Sequence, residues 1–360
     1  MPEEAYPKIG HFPTVADLQA HLSTLNLDLP LDSRVLSASE GSPLAAPLDI
    51  DGFRIGNRWV AHPMEGWDCT TGGQPTEHTL RRWQHFGQSG CKWIWGGEAF
   101  AVHSDARANP NQLALVDNNQ DQAARGLTSL LEALKTSHQQ SFAKIDDLFI
   151  GLQLTHSGRF CKPADKLKFQ PRIAYHHPLL DKKFHISPDD SSVLLTDSDL
   201  EHIIDNYITA AQLAHRVGFH FVDVKHCHGY LAHELLSAHT RPGKFGGSLE
   251  NRSRFARQII QGIQASCPGL KIGVRLSIFD APPFKPDSAR ATPGKLGPGI
   301  PDSFPTPYHY GFGCNPNNPL EIDLTEPIQF IQMLNSLGVK MINASCASPY
   351  YNPHFVRPAP

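Results

Sequence analysis

Short apolar runs alternate along this chain with longer amphipathic stretches. Six apolar runs have the length of strands, at residues 58–64, 91–100, 148–156, 219–228, 270–277 and 339–346. The stretches between them repeat apolar residues at helical spacing, at residues 77–88, 120–136, 197–217, 250–265 and 327–337. Residues 14–27 show the same spacing ahead of the first strand. The pattern therefore predicts a strand followed by a helix, repeated along the chain.

The helix predicted for residues 197–217 has the clearest signals. Its apolar residues form one stripe, made of Leu200, Ile203, Ile204, Tyr207, Ala211 and Ala214. Thr196, Asp197 and Ser198 precede the stripe as candidate capping residues. Because strand and helix alternate, the strands are expected to be parallel and joined by right-handed crossovers. This order predicts the α/β class, as either an open doubly wound sheet or a closed barrel.

The two faces of three predicted strands favour the barrel. One face is apolar and contains Ile150, Leu152, Val222, Val224, Ile272 and Val274. The other face is small or polar and contains Gly151, Gln153, Asp223, Lys225, Gly273 and Arg275. A parallel strand with helices on both faces should be apolar throughout. A polar inner face with functional groups at the carboxyl end is typical of a TIM (β/α)₈-type barrel.

The predicted barrel has about six of the eight βα units that closure requires. We expect an N-terminal arm at residues 1–43 and an incomplete barrel domain at residues 44–360. Prolines cluster at residues 281–319, which predicts a long irregular insertion in that domain, of the kind that often lies over a functional site. A barrel without its last two units would have two unpaired strand edges. The sequence is therefore expected to be a truncated product or a fragment.

The amino-acid composition limits the classes of molecule that this protein is expected to bind. The net charge of −3 and the absence of long Lys and Arg runs give no basic surface for nucleic acid. No apolar stretch has the length of a signal peptide core or of a membrane span, so we expect a cytoplasmic protein without a membrane partner. The seven cysteines are scattered and form no CxxC pair, which indicates neither a disulfide framework nor a metal cluster. A homo-oligomer stays open.

Five polar side chains lie at or just after the carboxyl ends of predicted strands: Gln153, Lys225, His228, Tyr230 and Arg275. Two cations, an amide and a phenol suit a planar, electron-accepting ring whose reduced form is anionic. The phenol is also able to deliver a proton to a bound molecule. No carboxylate pair, GxSxG motif or Walker loop is present, so machinery for hydrolysis or phosphoryl transfer is not visible.

From about Ser42 to Pro360 the chain resembles the old yellow enzyme family of FMN-dependent NAD(P)H oxidoreductases. The resemblance rests on the segments IGNRWVAHPM, GGEAFAV, IGLQLTHSGR, CHGYLAHELLS, FGGSLENR and GVRLS, in the order and spacing of the family. Each segment alone is weak evidence for the family, but six segments in the same order and spacing are specific evidence for it. The resemblance implies a TIM barrel with FMN at its carboxyl end, and NADH or NADPH as the hydride donor.

The resemblance also implies a role for individual residues. Contacts with the cofactor would come from Pro63, Met64, Glu65, Ala99, Gln153 and Arg275. Lys225 and His228 would bind a small-molecule substrate, with His228 at the carbonyl oxygen of an α,β-unsaturated carbonyl compound. Tyr230 would be the catalytic residue that protonates the carbon next to that carbonyl. A donor at the oxygen stabilises the negative charge that develops there.

The chain departs from the family pattern at four places. Lys225 replaces the first histidine of the substrate-binding pair, and a compact cation would favour a more anionic or more polarised ligand. Glu65 replaces a Cys or Thr beside the flavin, and a carboxylate there would oppose flavin reduction unless it pairs with Lys225 or is protonated. The loop RPGKFGGS also differs. The last two strands, whose loops hold the FMN phosphate in this family, are not found.

Three alternatives stay open. A chain without those loops would be a non-enzymatic remnant unable to hold FMN. An amine dehydrogenase-like flavoenzyme is the second, although the Cys cluster of those enzymes is not found. A metal-dependent hydrolase is the third, because His226 and His228 form an HxH pair, but no further ligand set accompanies it.

Overall fold

The computed structural model describes residue 7 and residues 9–356. It divides into two compact units, of which the first ends at Trp59 and the second begins at Val60. The first unit contains helix α1 (Val15–Thr24) and an antiparallel hairpin of β1 (Leu48–Ile50) and β2 (Phe53–Ile55). Thr14 caps α1 through a reciprocal pair of hydrogen bonds with Asp17. The domain boundary expected at residues 43 and 44 stays a prediction.

The second unit is built on one parallel sheet. Its strands are β3 (Val60–Ala61), β4 (Trp93–Ile94), β5 (Ala99–Ala101), β6 (Phe149–Thr155), β7 (Phe221–Val224), β8 (Lys271–Ser277) and, later in the chain, β13 (Met341–Ser345). The spatial order is β3, β4, β6, β7, β8, β13, and β5 continues the position of β4 beside β6. All six predicted strands are confirmed, and chain order equals spatial order, as in a barrel.

Helices connect these strands as predicted. They are α2 (Glu77–Gln88), α3 (Gln120–Phe142), α4 (Pro178–Lys183), α5 (Asp197–Val217), α6 (Leu231–Leu236), α7 (Leu249–Arg252), α8 (Arg254–Ser266) and α9 (Thr325–Ser336). The bounds of α2 and α5 equal the prediction. Thr196 caps α5 in a capping box, and Gly218 ends that helix in the left-handed conformation. The single helix predicted for residues 250–265 is two helices that meet at Ser253.

The two faces of the sheet have different partners. Outward side chains such as Ile150, Val222 and Val274 belong to one apolar core with residues of the surrounding helices. The inner face carries a group of aromatic rings in stacked and edge-to-face contact, from Trp93, Trp95, Phe149 and Phe221. Gly151 leaves room for that group, since a Cβ there would lie 2.3 Å from the Phe221 ring. The predicted apolar outer face is confirmed, whereas the inner face, expected to be small or polar, also carries these four aromatic rings.

The sheet curves so far that its two outer strands approach each other. Asn343 on β13 donates from Nδ2 to Nδ1 of His62, which directly follows β3, over 3.0 Å. Consecutive parallel strands, helices outside and a curled inner face are the predicted α/β barrel-type architecture. Six strand positions are present in the described part of the chain.

The proline-rich segment contains two short strand pairs. After β8 it forms one antiparallel pair, β9 (Phe284–Pro286) with β10 (Gly299–Pro301). A second pair follows, β11 (Cys314–Asn315) with β12 (Asn318–Ile322). Turns and loops make up most of the segment outside these two short pairs, and the insertion expected at residues 281–319 stays a prediction.

Candidate functional site

A pocket of about 370 Å³ lies where the inner strands of the barrel end. It is lined by Pro63, Met64, Glu65, Trp67, Gln153, Lys225, His228, Tyr230, Arg275, Pro349 and Tyr350. Parallel strands place their carboxyl ends at one edge of the sheet, so residues far apart in sequence meet there. A second pocket of about 570 Å³ shares Pro63, Met64, His228, Arg275 and Pro349, so the two form one elongated cleft.

The structure brings nearly all the predicted site residues into this cleft. Pro63, Met64 and Glu65 come from the loop after β3, while Gln153, Lys225, His228, Tyr230 and Arg275 come from β6, β7 and β8 or the loops after them. Ala99 is the exception, because it does not line the cleft. Its N–H donates to the carbonyl of Met64, and its carbonyl accepts from Gln112, so both backbone groups are used within the fold.

Glu65 and Lys225 form a buried ion pair in the pocket. Nζ of Lys225 donates to Oε1 of Glu65 over 2.7 Å, and the two side chains are 6% and 12% exposed. The ammonium also lies 3.6 Å from the centre of the Tyr230 ring. Glu65 and Lys225, which both depart from the family pattern, therefore neutralise each other's charge. This is the pairing under which a carboxylate beside a flavin would not oppose its reduction.

The Tyr230 hydroxyl is held by two oxygen atoms. It donates to Oε2 of Glu65 over 2.6 Å, and the hydroxyl of Tyr350 lies 2.9 Å away. Because an ionised carboxylate only accepts, the phenolic proton points to Glu65 and the phenol oxygen remains free to accept from Tyr350. Burial and the Glu65 carboxylate raise the pKa of Tyr230 well above its usual value. The phenol therefore keeps its proton throughout the physiological range.

His228 is a neutral side chain at the centre of the cleft. Burial and the cations of Lys225 and Arg275 lower its pKa to about 2. Its ring atom Nε2 lies 3.1 Å from the hydroxyl of Ser345, and its backbone has a φ of 65°. The backbone N–H donates to the hydroxyl of Ser277, which fixes this uncommon conformation. A neutral imidazole here offers a hydrogen bond without adding charge.

Gln153 and Arg275 are joined by a buried aspartate that lies between them. Nε2 of Gln153 donates to Oδ2 of Asp223 over 2.6 Å, and the backbone N–H of Arg275 donates to Oδ1 over 2.7 Å. The guanidinium atom Nε of Arg275 is buried and has no hydrogen-bond partner among the described residues. A buried donor without a partner indicates an acceptor that the protein itself does not supply.

A charge cluster beneath the pocket fixes the loop after β3. Arg82 on α2 bridges Asp68 and the buried carboxylate of Glu98. The other oxygen of Glu98 accepts from the backbone N–H of Gly66 over 2.9 Å. A side chain at position 66 would overlap the Arg82 guanidinium and would have to displace it from its carboxylate partners. This cluster holds Met64 and Glu65 at the pocket.

Sequence reasoning missed several residues of this site, and Pro349 is one of those that line the pocket. Trp67 and Tyr350 line the pocket, Asp223 supports it, and Ser345 contacts His228. The sequence did contain a signal for Tyr350 and Trp67, because both residues lie in loops that directly follow strands. In the part of the chain that the structure describes, no group of His, Cys, Asp and Glu side chains is arranged to hold a metal ion. The cysteines are free thiols.

We expect the buried carboxyl group of Asp223 to make the stability of the protein depend on pH. Burial raises its pKa from the ordinary 3.8 to about 6, so the fold favours the protonated form. The resulting contribution is fully present below about pH 4 and is lost as the pH rises through about 6. The free energy of unfolding of the wild type minus that of Asp223→Asn should fall by roughly 3 kcal/mol over this range. Urea unfolding at several pH values measures it, and a flat difference would contradict the assignment.

The similarity of this chain to known proteins agrees with the fold and the cleft described above. The fold and the cleft define a barrel-type α/β protein with its site at the carboxyl ends of the strands. The model of the NADH:flavin oxidoreductase / NADH oxidase family matches residues 43–291. The chain belongs to this family, and the resemblance to old yellow enzymes is confirmed. Within residues 7 and 9–356, no helix combines the length and apolar character needed to cross a membrane.

Relatives and solved structures agree with this placement. The chain is 28% identical over 253 residues to 12-oxophytodienoate reductase 1 of Oryza sativa subsp. japonica, covering 68% of this chain and 61% of that protein. It is also 28% identical over 249 residues to an NADPH dehydrogenase of Geobacillus sp. (strain WCH70), covering 67% and 64%. Old Yellow Enzyme from Pichia sp. AKU4542 has the same fold, with a TM-score of 0.58, 18% identity and coverage of 88% and 73%. The chain thus spans about three fifths of the length of these curated relatives.

Proposed function

We propose that this protein is an FMN-dependent NAD(P)H oxidoreductase that reduces the activated C=C bond of an α,β-unsaturated carbonyl compound. The observation that carries the proposal is at Arg275, whose side chain lines the cleft and whose buried guanidinium Nε has no hydrogen-bond partner among the described residues. A planar, electron-accepting ring with acceptor oxygens and nitrogens at its edge would supply the missing partner. Gln153 offers its carbonyl oxygen beside it, so the residues present fit the pyrimidine edge of a flavin.

The side chains of the cleft divide into two sets. Gln153 and Arg275 would hold the flavin ring, with Pro63 and Met64 against it. FMN, when bound, supplies hydride transfer from NAD(P)H to the substrate. His228 would donate a hydrogen bond to the substrate carbonyl oxygen, where negative charge develops. Lys225 adds positive charge nearby, although Glu65 balances most of it.

Tyr230 is the proposed proton donor to the substrate carbon. Its hydroxyl donates to Glu65, so a bound substrate must replace Glu65 as the acceptor of that proton. The hydroxyl of Tyr350, 2.9 Å away, would then return a proton to the Tyr230 oxygen and regain its own from solvent, since the Tyr350 side chain is partly exposed. The catalytic proton therefore has a path through two phenols of the cleft.

FMN titration and NAD(P)H turnover test the proposal. The purified chain should bind FMN, and with 2-cyclohexenone it should oxidise NADH or NADPH. Arg275→Met should weaken FMN binding roughly 10- to 100-fold, since a hydrogen bond to a charged group is lost. Tyr230→Phe should retain FMN and lower enone turnover by roughly 100-fold. Arg290→Met, at an exposed hairpin position, is the matched control and should change neither.

Two outcomes would contradict the proposal. A chain that binds no FMN would be a remnant without flavin chemistry. A chain that binds FMN and oxidises an amine, but leaves the enone unreduced, would be a flavoenzyme of the amine dehydrogenase type.

A further inference from the structure

The carboxylate of Asp223 lies at the meeting point of the two residues proposed to hold the flavin. Its side chain is fully buried on the inner face of β7, one layer below Lys225. Gln153 is its direct neighbour on β6, and Gly273 is its neighbour on β8. One carboxylate oxygen accepts from Gln153 and the other from the backbone N–H of Arg275, and the Trp95 side chain lies close enough to act on the same carboxyl group.

The strand ladder opens locally to make this arrangement. The N–H of Arg275 donates to the Asp223 side chain, and the carbonyl of Val224 is near the ring atom Nδ1 of His226 at 2.9 Å. Backbone bonds between the strands resume at His226, whose N–H donates to the carbonyl of Arg275. At this point of the sheet, the side chains of Asp223 and His226 therefore take the place of the backbone groups that would otherwise bond to each other.

This bonding fixes the direction of the Gln153 carboxamide. An ionised carboxylate accepts hydrogen bonds and cannot donate them, so it must face the NH₂ group of Gln153. The carbonyl oxygen Oε1 is then the group that remains for the pocket, and it accepts no hydrogen bond among the described residues. Reversing the amide would place two acceptors together in a buried site.

We propose that Asp223 is a positioning residue that turns the Gln153 carboxamide so that the pocket presents an acceptor to the imide N–H of a bound flavin ring. This inference rests on the proposed function for the identity of its ligand. It adds to that function the residue that determines which half of the amide the ligand meets. Asp223 itself does not line the cleft, so it acts only through its neighbours.

The neighbours of Asp223 make Asp223→Asn a directional test. The backbone N–H of Arg275 requires an acceptor, so the oxygen of the new Asn faces it and the NH₂ group faces Gln153. Gln153 must then rotate to accept that donor, and its own NH₂ group turns to the pocket. The variant D223N/Q153E reverses this, because the new Glu accepts from the Asn and presents its second oxygen to the pocket. The charge of the wild type is kept.

Binding of FMN and of N3-methyl FMN, measured at pH 8, reads out the direction of the amide. The wild type should bind FMN at least about tenfold more tightly than the N3-methyl compound, since the methyl group removes the donor. Asp223→Asn should reduce this ratio to about 1–3, and D223N/Q153E should restore it to about the wild-type value. A wild-type ratio retained in Asp223→Asn would overturn the proposal, as would a double variant that does not recover.

A second readout does not need flavin. The urea midpoint should be lowest for Gln153→Glu, in which two carboxylates face each other, and should rise again in D223N/Q153E. If Gln153→Glu does not fold, a folded double variant provides the same comparison. A double variant no more stable than Gln153→Glu would overturn the pairing. Failure of the wild type to bind FMN would refute the proposed function. The order of the urea midpoints would still decide whether Asp223 orients Gln153.

Discussion

Replacing Arg159 by Met is expected to lower the free energy of unfolding by roughly 5 kcal/mol, the largest stability effect we anticipate in the chain. Arg159 is fully buried in the loop after β6 and bridges two buried carboxylates, Asp181 and Glu234. Its third hydrogen bond goes to the carbonyl of Tyr175 over 3.0 Å. Methionine fills similar volume but leaves Glu234 without its guanidinium partner and Asp181 with His176 as its remaining side-chain partner among the described residues, and uncompensated buried charge is strongly destabilising.

The effect should extend to the active cleft. Glu234 lies on α6, which directly follows Tyr230, and its second oxygen accepts from the backbone N–H of Ala174 over 2.7 Å. The cluster therefore clamps the loop after β6 to the helix that positions Tyr230. Urea unfolding measures the change, and Arg216→Met, on the exposed face of α5, is a matched control expected to change stability by less than about 1 kcal/mol. Equal effects of the two substitutions would show that the buried cluster contributes little.

Replacing Lys225 by Met is expected to lower the free energy of unfolding by about 3 kcal/mol. The substitution leaves Glu65 nearly buried, with the Tyr230 hydroxyl as its one remaining donor among the described residues. Removing one partner of a buried ion pair is more harmful than removing both, because the remaining charge has lost its compensation. The double variant E65Q/K225M should therefore recover at least half of the lost stability.

A double-mutant cycle by urea unfolding separates these contributions. Glu65→Gln, Lys225→Met and the double variant give the coupling between the two side chains directly. Lys244→Met provides the control, since Lys244 and Glu201 form a pair that is nearly half exposed. Strictly additive effects of the two single substitutions would mean that Glu65 and Lys225 do not stabilise each other.

Local signals accounted for the elements of the fold. The helices Glu77–Gln88 and Asp197–Val217 begin and end where the sequence places them, because capping residues and a helix-ending glycine act within a few residues. The inner and outer faces of β6, β7 and β8 followed from simple alternation, since successive side chains in a strand point to opposite sides. The break at Ser253 was missed because no proline or glycine marks it.

The convergence of Gln153, Lys225, His228 and Arg275 also followed from the sequence. Once the strands are known to be parallel, their carboxyl ends must meet at one edge, whatever the length of chain between them. The sequence also named Lys225 as the partner that Glu65 would need, and the structure confirms that the two are paired. The roles of these residues toward a cofactor and a substrate stay predictions.

By itself, then, the sequence determined the strands, the helices, the family and the group of side chains at the cleft, because each depends on short-range pattern or on strand direction. Tertiary structure alone decided what those side chains bind within the protein. It turned the Tyr230 hydroxyl to Glu65, placed Asp223 between Gln153 and Arg275, used both backbone groups of Ala99 and buried Arg159 between two carboxylates. Hydrogen bonds require atoms to meet within about 3 Å at a suitable angle. Distances of that kind arise only from the packing of whole elements, which no local pattern specifies.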